Sequence, residues 1–220
     1  MRIMNRPYVI INCAMSADGK IASPDGKQLR ISNEEDIKRM YNLRASCDAV
    51  LVGIGTILAD NPKLTVKEKY VENPKNPIRV ILDSYCRTDV DSLALKDDVK
   101  TLIITSRECD KKFNKNVEII QCKMDSEGKI NLNELLEKLF DLGIKKLMVE
   151  GGSTVIWNFL KNRLVDDFYV YIGPIIIGGK YTPSIADGEG INNENELIKL
   201  QIIETKRINE GMLVHYKLKI

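Results

Sequence analysis

Residues 147–160 read LMVEGGSTVIWNFL, and the fold turns on this stretch. The β-rich apolar run Leu147–Val149 meets Glu150, Gly151, Gly152, Ser153 and Thr154, after which Val155–Leu160 has helical character. A strand that ends in glycines where a helix opens is the repeating joint of a parallel sheet. Glycines let backbone amides come close to an anion, and the first free N–H groups of a helix, at its positive end, suit a phosphate or pyrophosphate. An ordinary strand-to-helix turn carries the same residue types, so this segment alone leaves both readings open.

Working outward, similar apolar runs recur at Tyr8–Ala14, Ala49–Val52, Ile78–Leu82, Thr101–Thr105, Val117–Gln121, Lys146–Val149 and Phe168–Ile172. Helical patterns alternate with them. The clearest is Asn133–Leu142, where Leu135, Leu136, Leu139, Phe140 and Leu142 make an apolar face and Gly143 supplies the stop. Another begins after Ser32, whose hydroxyl is placed to cap it with Glu35 three residues on, and Ile37, Met40, Tyr41 and Leu43 form its buried face. This alternation predicts an α/β fold with a mostly parallel central sheet flanked by helices, whose carboxyl edge is the usual place for a ligand. At the end, Ile198–Ile208 and Met212–Ile220 flank Asn209, Glu210 and Gly211, which predicts a C-terminal antiparallel hairpin. No internal repeat or low-complexity tract is seen. The polar stretches Lys67–Asn76 and Asp187–Glu196 read as surface loops, so residues 1–220 are expected to form one domain.

Composition narrows the function. A chain of 220 residues, 44% of them hydrophobic, can bury a good core. Thirty-three Lys and Arg against thirty-one Asp and Glu leave a net charge of +2, too weak a field to argue for nucleic acid or a membrane surface. The expected partner is therefore small. No run of about 18 apolar residues occurs, and Asn12 interrupts the apolar start Tyr8–Met15, so neither a spanning helix nor a signal peptide fits and a cytoplasmic location is expected. Five widely spaced cysteines, Cys13, Cys47, Cys86, Cys109 and Cys122, contain no CxxC and suggest reduced thiols. With His215 as the single histidine, no metal site is expected.

Two nucleotide-binding patterns fail. Gly53-Ile54-Gly55 follows a strand, but Leu58 stands where the dinucleotide fingerprint wants its third glycine. Near Lys180, Pro174 replaces the first glycine of a phosphate-binding P-loop and Tyr181 replaces the magnesium-holding Ser or Thr. The His-x-Glu and Pro-Cys-x-x-Cys marks of a zinc deaminase are also missing. Two further segments draw notice. Ala14–Ile21 is an apolar strand running into a small polar turn, for which a simple hairpin around Asp18 and Gly19 suffices. In Gly55–Lys67, Asn61 and Pro62 stop a short helix and leave Thr56 and Asp60 one turn apart on one face.

Three motifs in order, SADGKIA at 16–22, LRASCDAVLVGIGTILADNPKLTV at 43–66 and VEGGST at 149–154, resemble the reductase family of riboflavin synthesis over nearly the whole chain. That family has a dihydrofolate-reductase-like fold and also forms the second half of bacterial bifunctional deaminase and reductase proteins. The resemblance implies an oxidoreductase that uses NADPH to reduce the ribosyl group of a phosphorylated ribosylaminopyrimidine to ribityl. It places Thr56, Asp60, Asp83 and Ser84 against the cofactor, Gly151, Gly152, Ser153 and Thr154 at its pyrophosphate, and Ala14 and Ser16 beside the nicotinamide. Ser84 and Arg87 become candidate contacts for the 2′-phosphate that separates NADPH from NADH.

For the substrate, the resemblance implies Arg44 and Lys67 around the ribose phosphate, with Leu64 and Glu150 also facing the pyrimidine compound. Relatives commonly carry arginine at the place of Lys67, so the charge is kept here while bidentate geometry is not. Asp18, Lys20 and Glu150 are the candidates for proton handling, and sequence does not rank them. Since the chain carries no deaminase, reduction before deamination is expected, which favours the diaminopyrimidinone substrate over the uracil. A non-catalytic nucleotide-binding sensor of the same fold is the alternative from another class. The family is commonly dimeric, so a homodimer is implied.

Overall fold

A computed structural model describes residues 5–219, so Ile220, the end of the expected last strand, lies outside the described residues. The chain forms two compact units. One holds Leu43–Met148 with the segment ending at Tyr8, and the other holds Val9–Asn42 and the chain from Val149 onward.

In the first unit the strands are β2 (Ala49–Gly53), β3 (Ile78–Leu82), β4 (Thr101–Thr105) and β5 (Val117–Gln121), and β6 (Lys146–Gly151) begins there before passing into the second unit. Their order is β5-β4-β3-β2-β6. The β2–β3, β3–β4 and β4–β5 pairs are all parallel, in the registers Ala49 to Ile78, Arg79 to Thr101 and Thr101 to Val117. Every residue of β2 and β4 is buried, which is why these strands read as unbroken apolar runs and not as alternation. Strand β5, at the end of the order, is only partly buried. Helix α2 (Ile54–Asp60) follows β2 without a linker and ends at Asn61, whose φ of 43° closes the helix in the left-handed region. Helix α3 (Leu132–Asp141) lies one residue earlier than its sequence pattern suggests. Asn131 accepts from the amides of Asn133 and Glu134, Leu135, Leu136 and Leu139 are buried, and Gly143 at φ 86° ends the turn.

One charge in this core was hidden by its strand. Arg79 of β3 is fully buried, with its guanidinium on Asp97 at 2.9 Å and on the carbonyls of Ala94 and Lys96. The expectation of five reduced thiols is corrected at one pair. Cys86 and Cys109 are joined as a disulfide with Cα atoms 5.7 Å apart, because the loops leaving parallel neighbours β3 and β4 emerge side by side. Cys13, Cys47 and Cys122 are free and buried.

The second unit carries β1 (Tyr8–Ser16), β7 (Asp167–Gly173), β8 (Leu200–Ile208) and β9 (Gly211–Leu218) in the order β1-β7-β9-β8. Strands β1 and β7 are parallel, and β7–β9 and β8–β9 are antiparallel, with Ile208 opposite Gly211 across the turn Asn209–Glu210. The arrangement is the expected one, mostly parallel with a terminal antiparallel hairpin. Helix α4 (Ser153–Lys161) buries Ile156, Trp157, Phe159 and Leu160. Helix α1 (Glu34–Ala45) starts here, and its cap corrects the sequence reading: the Asn33 side chain, not Ser32, accepts the amide of Asp36 at 2.9 Å. The Ser32 hydroxyl instead donates to the Asp36 carboxylate at 2.6 Å.

Because Leu135 is fully buried in the face of α3, Leu135→Ala should lower unfolding free energy by about 2–5 kcal/mol with an unchanged denaturant slope, measured by urea titration.

Candidate active site

In the first unit the candidates gather where parallel strands end. Strand β2 runs through Gly53 directly into α2, so Thr56 and Asp60 sit one turn apart on the helix, both half-buried. Asn61 just after them accepts the amide of Leu93 at 2.8 Å, tying the end of α2 to the following loop. Strand β3 ends at Asp83, which is fully buried. Its Oδ2 accepts from both the amide and the hydroxyl of Thr88 at 2.7 Å, and the Arg87 Nε stands 3.9 Å from Oδ1. Asp83 thereby shapes the 83–88 turn, and Ser84, half-buried beside it, gives its carbonyl to the Ser106 hydroxyl at 2.9 Å. Two oxygens at these strand ends, Asp83 Oδ1 and Thr105 Oγ1, have no hydrogen-bond partner among the described residues.

The expected substrate residues of this unit separate into inner and outer ones. Arg44 is 8% exposed and donates to the Thr65 carbonyl at 2.6 Å. A solvated helix charge is therefore not its role, and it holds the irregular segment that leads to Lys67. Leu64, at φ 54°, packs into the apolar cluster with Val52, Ile57 and Leu95. Lys67 is exposed at the start of a turn.

In the second unit β6 delivers Glu150, half-buried, and then Gly151 at φ 117°, where a side chain would be strained. Gly152 is the N-cap of α4 and no side chain closes that end; no acidic residue lies in the first turn, and the basic residue Lys161 lies in the last. The free amides at this end, the hydroxyls of Ser153 and Thr154 beside them, and the positive end of the helix dipole, which no acidic residue of the first turn offsets, are a donor set that fits the pyrophosphate of a dinucleotide.

Strand β1 ends at Ser16, which is buried, with Ala14 half-buried two residues before it. The turn that follows is built by side chains. The Ser16 hydroxyl donates to Asp18 at 2.6 Å, the Lys20 amide donates back to Ser16 Oγ at 2.9 Å, and Gly19 takes φ 80°. The Lys20 ammonium donates to the Thr182 carbonyl at 3.1 Å. His215 pairs with Asp167 at 2.7 Å and stacks on Tyr169, a contact across β7 and β9 and away from these turns in sequence and strand position. Burial pushes the Cys13 thiol far up and Cys122 to about 11, so neither is a ready nucleophile.

The RibD C-terminal domain family matches residues 7–214. The chain belongs to that family. The 2,5-diamino-6-ribosylamino-4(3H)-pyrimidinone 5′-phosphate reductase of Archaeoglobus fulgidus is 43% identical over 217 residues, covering 95% of this chain and 97% of that protein. Among solved structures, a diaminohydroxyphosphoribosylaminopyrimidine deaminase/5-amino-6-(5-phosphoribosylamino)uracil reductase of Thermotoga maritima is 26% identical with TM-score 0.82, over 97% of this chain and 57% of that one. The chain thus spans little more than half the length of that protein. Dihydrofolate reductase of Enterococcus faecalis, at 11% identity and TM-score 0.53 over 99% and 98% of the two chains, shares the fold alone. The dihydrofolate-reductase-like fold is therefore the fold of this RibD-family chain.

Sequence reasoning passed over Thr88, which holds Asp83, and the segment 175–184, which holds the SADGK turn. The first left no pattern. The second left none either, since the SADGK turn meets it only across about 160 positions of chain. Among the described residues no helix is long and apolar enough to cross a membrane, and no group of three or more His, Cys, Asp or Glu could hold a metal.

Removing one of the two donors to a fully buried carboxylate is costly, so Thr88→Val should destabilise the protein by about 1–3 kcal/mol, read by chemical denaturation. Equal stability would show that the 83–88 turn does not depend on this hydroxyl.

Proposed function

We propose that this chain uses NADPH to reduce the ribosyl group of the diaminopyrimidinone ribosyl phosphate to ribityl; its Archaeoglobus fulgidus relative is named a reductase of that 5′-phosphate compound. The observation that carries the cofactor half of the reading is the uncapped amino end of α4 behind Gly151 and Gly152, with Ser153 and Thr154 at hand. NADPH, when bound, supplies the hydride that adds to the first carbon of the opened sugar. In the second unit Gly151, Gly152, Ser153 and Thr154 are assigned to the pyrophosphate, and Ala14 and Ser16 to the nicotinamide. In the first unit Thr56, Asp60, Asp83 and Ser84 are assigned to the cofactor, with Arg87, whose side chain is half exposed, reaching for the 2′-phosphate.

The chain's own work is positional and electrostatic. Lys67 offers its charge to the ribose phosphate, Arg44 holds the Thr65 carbonyl and so the segment that presents Lys67, and Leu64 anchors that segment in the core. Glu150, Lys20 and Asp18 are the candidates to handle the proton that accompanies ring opening. Reduction of the uracil counterpart is the second reading, favoured by the name of the Thermotoga maritima structure. The higher identity to the diaminopyrimidinone reductase and the span of that whole protein support the first. A cytoplasmic homodimer completes the proposal, with exposed Ile202, Ile203 and Met212 of the β8–β9 hairpin as its apolar surface.

The reading is tested by following NADPH oxidation with both pyrimidine ribosyl phosphates side by side. Oxidation with the diamino compound is expected; preference for the uracil would reverse the order of reduction and deamination, and binding of NADPH without oxidation of it would favour a sensor. Glu150→Gln should lower kcat by about 10²-fold or more if Glu150 handles the proton. Arg87→Ala should narrow the preference for NADPH over NADH, and unchanged discrimination would remove Arg87 from the 2′-phosphate. A solution mass equal to one chain would remove the dimer.

A further inference from the structure

The motif S-x-D-G-K occurs twice within twelve residues, at 16–20 and at 23–27. Both copies fold into the same turn. In each, the serine hydroxyl meets the aspartate, the lysine amide donates to the serine Oγ, the glycine amide donates to the serine carbonyl, and the glycine takes a φ near 80°. Local chemistry is therefore the same in the two turns, and what differs is where the aspartate and the lysine go.

In the second copy Asp25 pairs with its own Lys27 at 3.1 Å, in the open. In the first copy the two side chains part. Lys20 donates to the Thr182 carbonyl, and both oxygens of Asp18 accept backbone amides of a distant segment, Ile177 at 3.1 Å and Gly178 at 2.7 Å. The backbone continues the joint: the Ala17 amide donates to the Ile175 carbonyl at 2.9 Å, the Ile21 amide to the Pro183 carbonyl at 3.0 Å, and Lys20 bridges Ser184. Ile177 is followed by Gly178 and Gly179, both at positive φ, and a Cβ on Gly179 would overlap the Thr182 hydroxyl. Further along, Gly188 lies against the Trp157 indole, and Glu189 pairs with Lys161, both on α4. The segment 175–189 is thus strapped at one end to the turn after β1 and at the other to α4, the two places in this unit assigned to the nicotinamide and the pyrophosphate.

We infer that Asp18 is a positioning residue: its carboxylate latches residues 175–182 onto the turn that carries Ser16 and Lys20, and it does not donate the proton. Its hydrogen bonds leave little room for the other role, since both oxygens already accept N–H or O–H donors. The Ser16 hydroxyl first, then the Ile177 amide, hold its carboxyl down to about 2, so at neutral pH it has no proton to give. The consequence for turnover rests on the reductase reading, whereas the latch itself does not.

The two are separated by measuring trypsin cleavage after Lys180, which is exposed beside Tyr181 at 85% exposure, alongside steady-state kinetics with the full chain. In Asp18→Ala the strap is expected to be cut about tenfold faster and kcat/KM for the pyrimidine to fall about tenfold, chiefly through KM, as follows from losing charge-assisted bonds that order a loop. Asp18→Asn keeps one acceptor oxygen and should recover part of both losses, and Asp25→Ala, in the matching turn without a latch, should behave as wild type in both. Cleavage of Asp18→Ala at the wild-type rate would overturn the latch. So would an Asp18→Asn protein whose strap is protected while kcat is lost as fully as in Asp18→Ala, for then the carboxyl would be the proton donor. If the wild-type chain reduced neither pyrimidine, the reductase reading would fail, and the cleavage rates would still decide the latch.

Discussion

Parallel pairing commits the backbone donors and acceptors of a strand to its two neighbours and sends every chain exit to the same edge. Strands β2, β3 and β4 obey this constraint through consecutive registers, and α2, the 83–88 turn and Ser106 all emerge from it together. Interior strands of this kind are covered on both faces, so their side chains are apolar by necessity and chemistry is left to the residues just past each strand end. Thr56, Asp83 and Ser84 hold such positions in one unit, and in the other Ser16 is the last residue of β1 and Glu150 the last but one of β6.

Helix starts and strand ends leave amides without partners, and this chain answers repeatedly with a side-chain oxygen. Asn131 closes α3, Asn33 closes α1, Asp83 draws in Thr88, and Asp18 collects Ile177 and Gly178. The amino ends of α2 and α4, with Gly53 and Gly152 at the N-cap, have no side-chain cap. Arg44 illustrates the same economy in reverse: a cation whose family context suggests a phosphate also secures the Thr65 carbonyl from a buried position.

Much of this was readable in advance where physics is local. Unbroken apolar runs located β2, β3 and β4, Asn61-Pro62 located the end of α2, Gly143 the end of α3, and the Ile208–Gly211 turn the hairpin. Errors arose where two local solutions compete. Ser32 and Asn33 can both cap α1, and the choice went to Asn33 because Ser32 is drawn to the carboxylate of Asp36. Cys86 and Cys109, 23 residues apart, carry no mutual signal, since what joins them is the adjacency of β3 and β4.

The amino-acid sequence by itself determined the alternation of elements, the terminal hairpin, the glycine joint before α4 and the family, because each follows from the periodicity, turn chemistry or motif order of neighbouring residues. Tertiary structure alone decided which polar side chains are available for chemistry. Two SxDGK turns identical in local bonding show why: Asp25 stays with Lys27 in solvent, whereas Asp18 meets amides some 160 positions away. A hydrogen bond between segments so far apart depends on where the chain returns, and no local pattern encodes that.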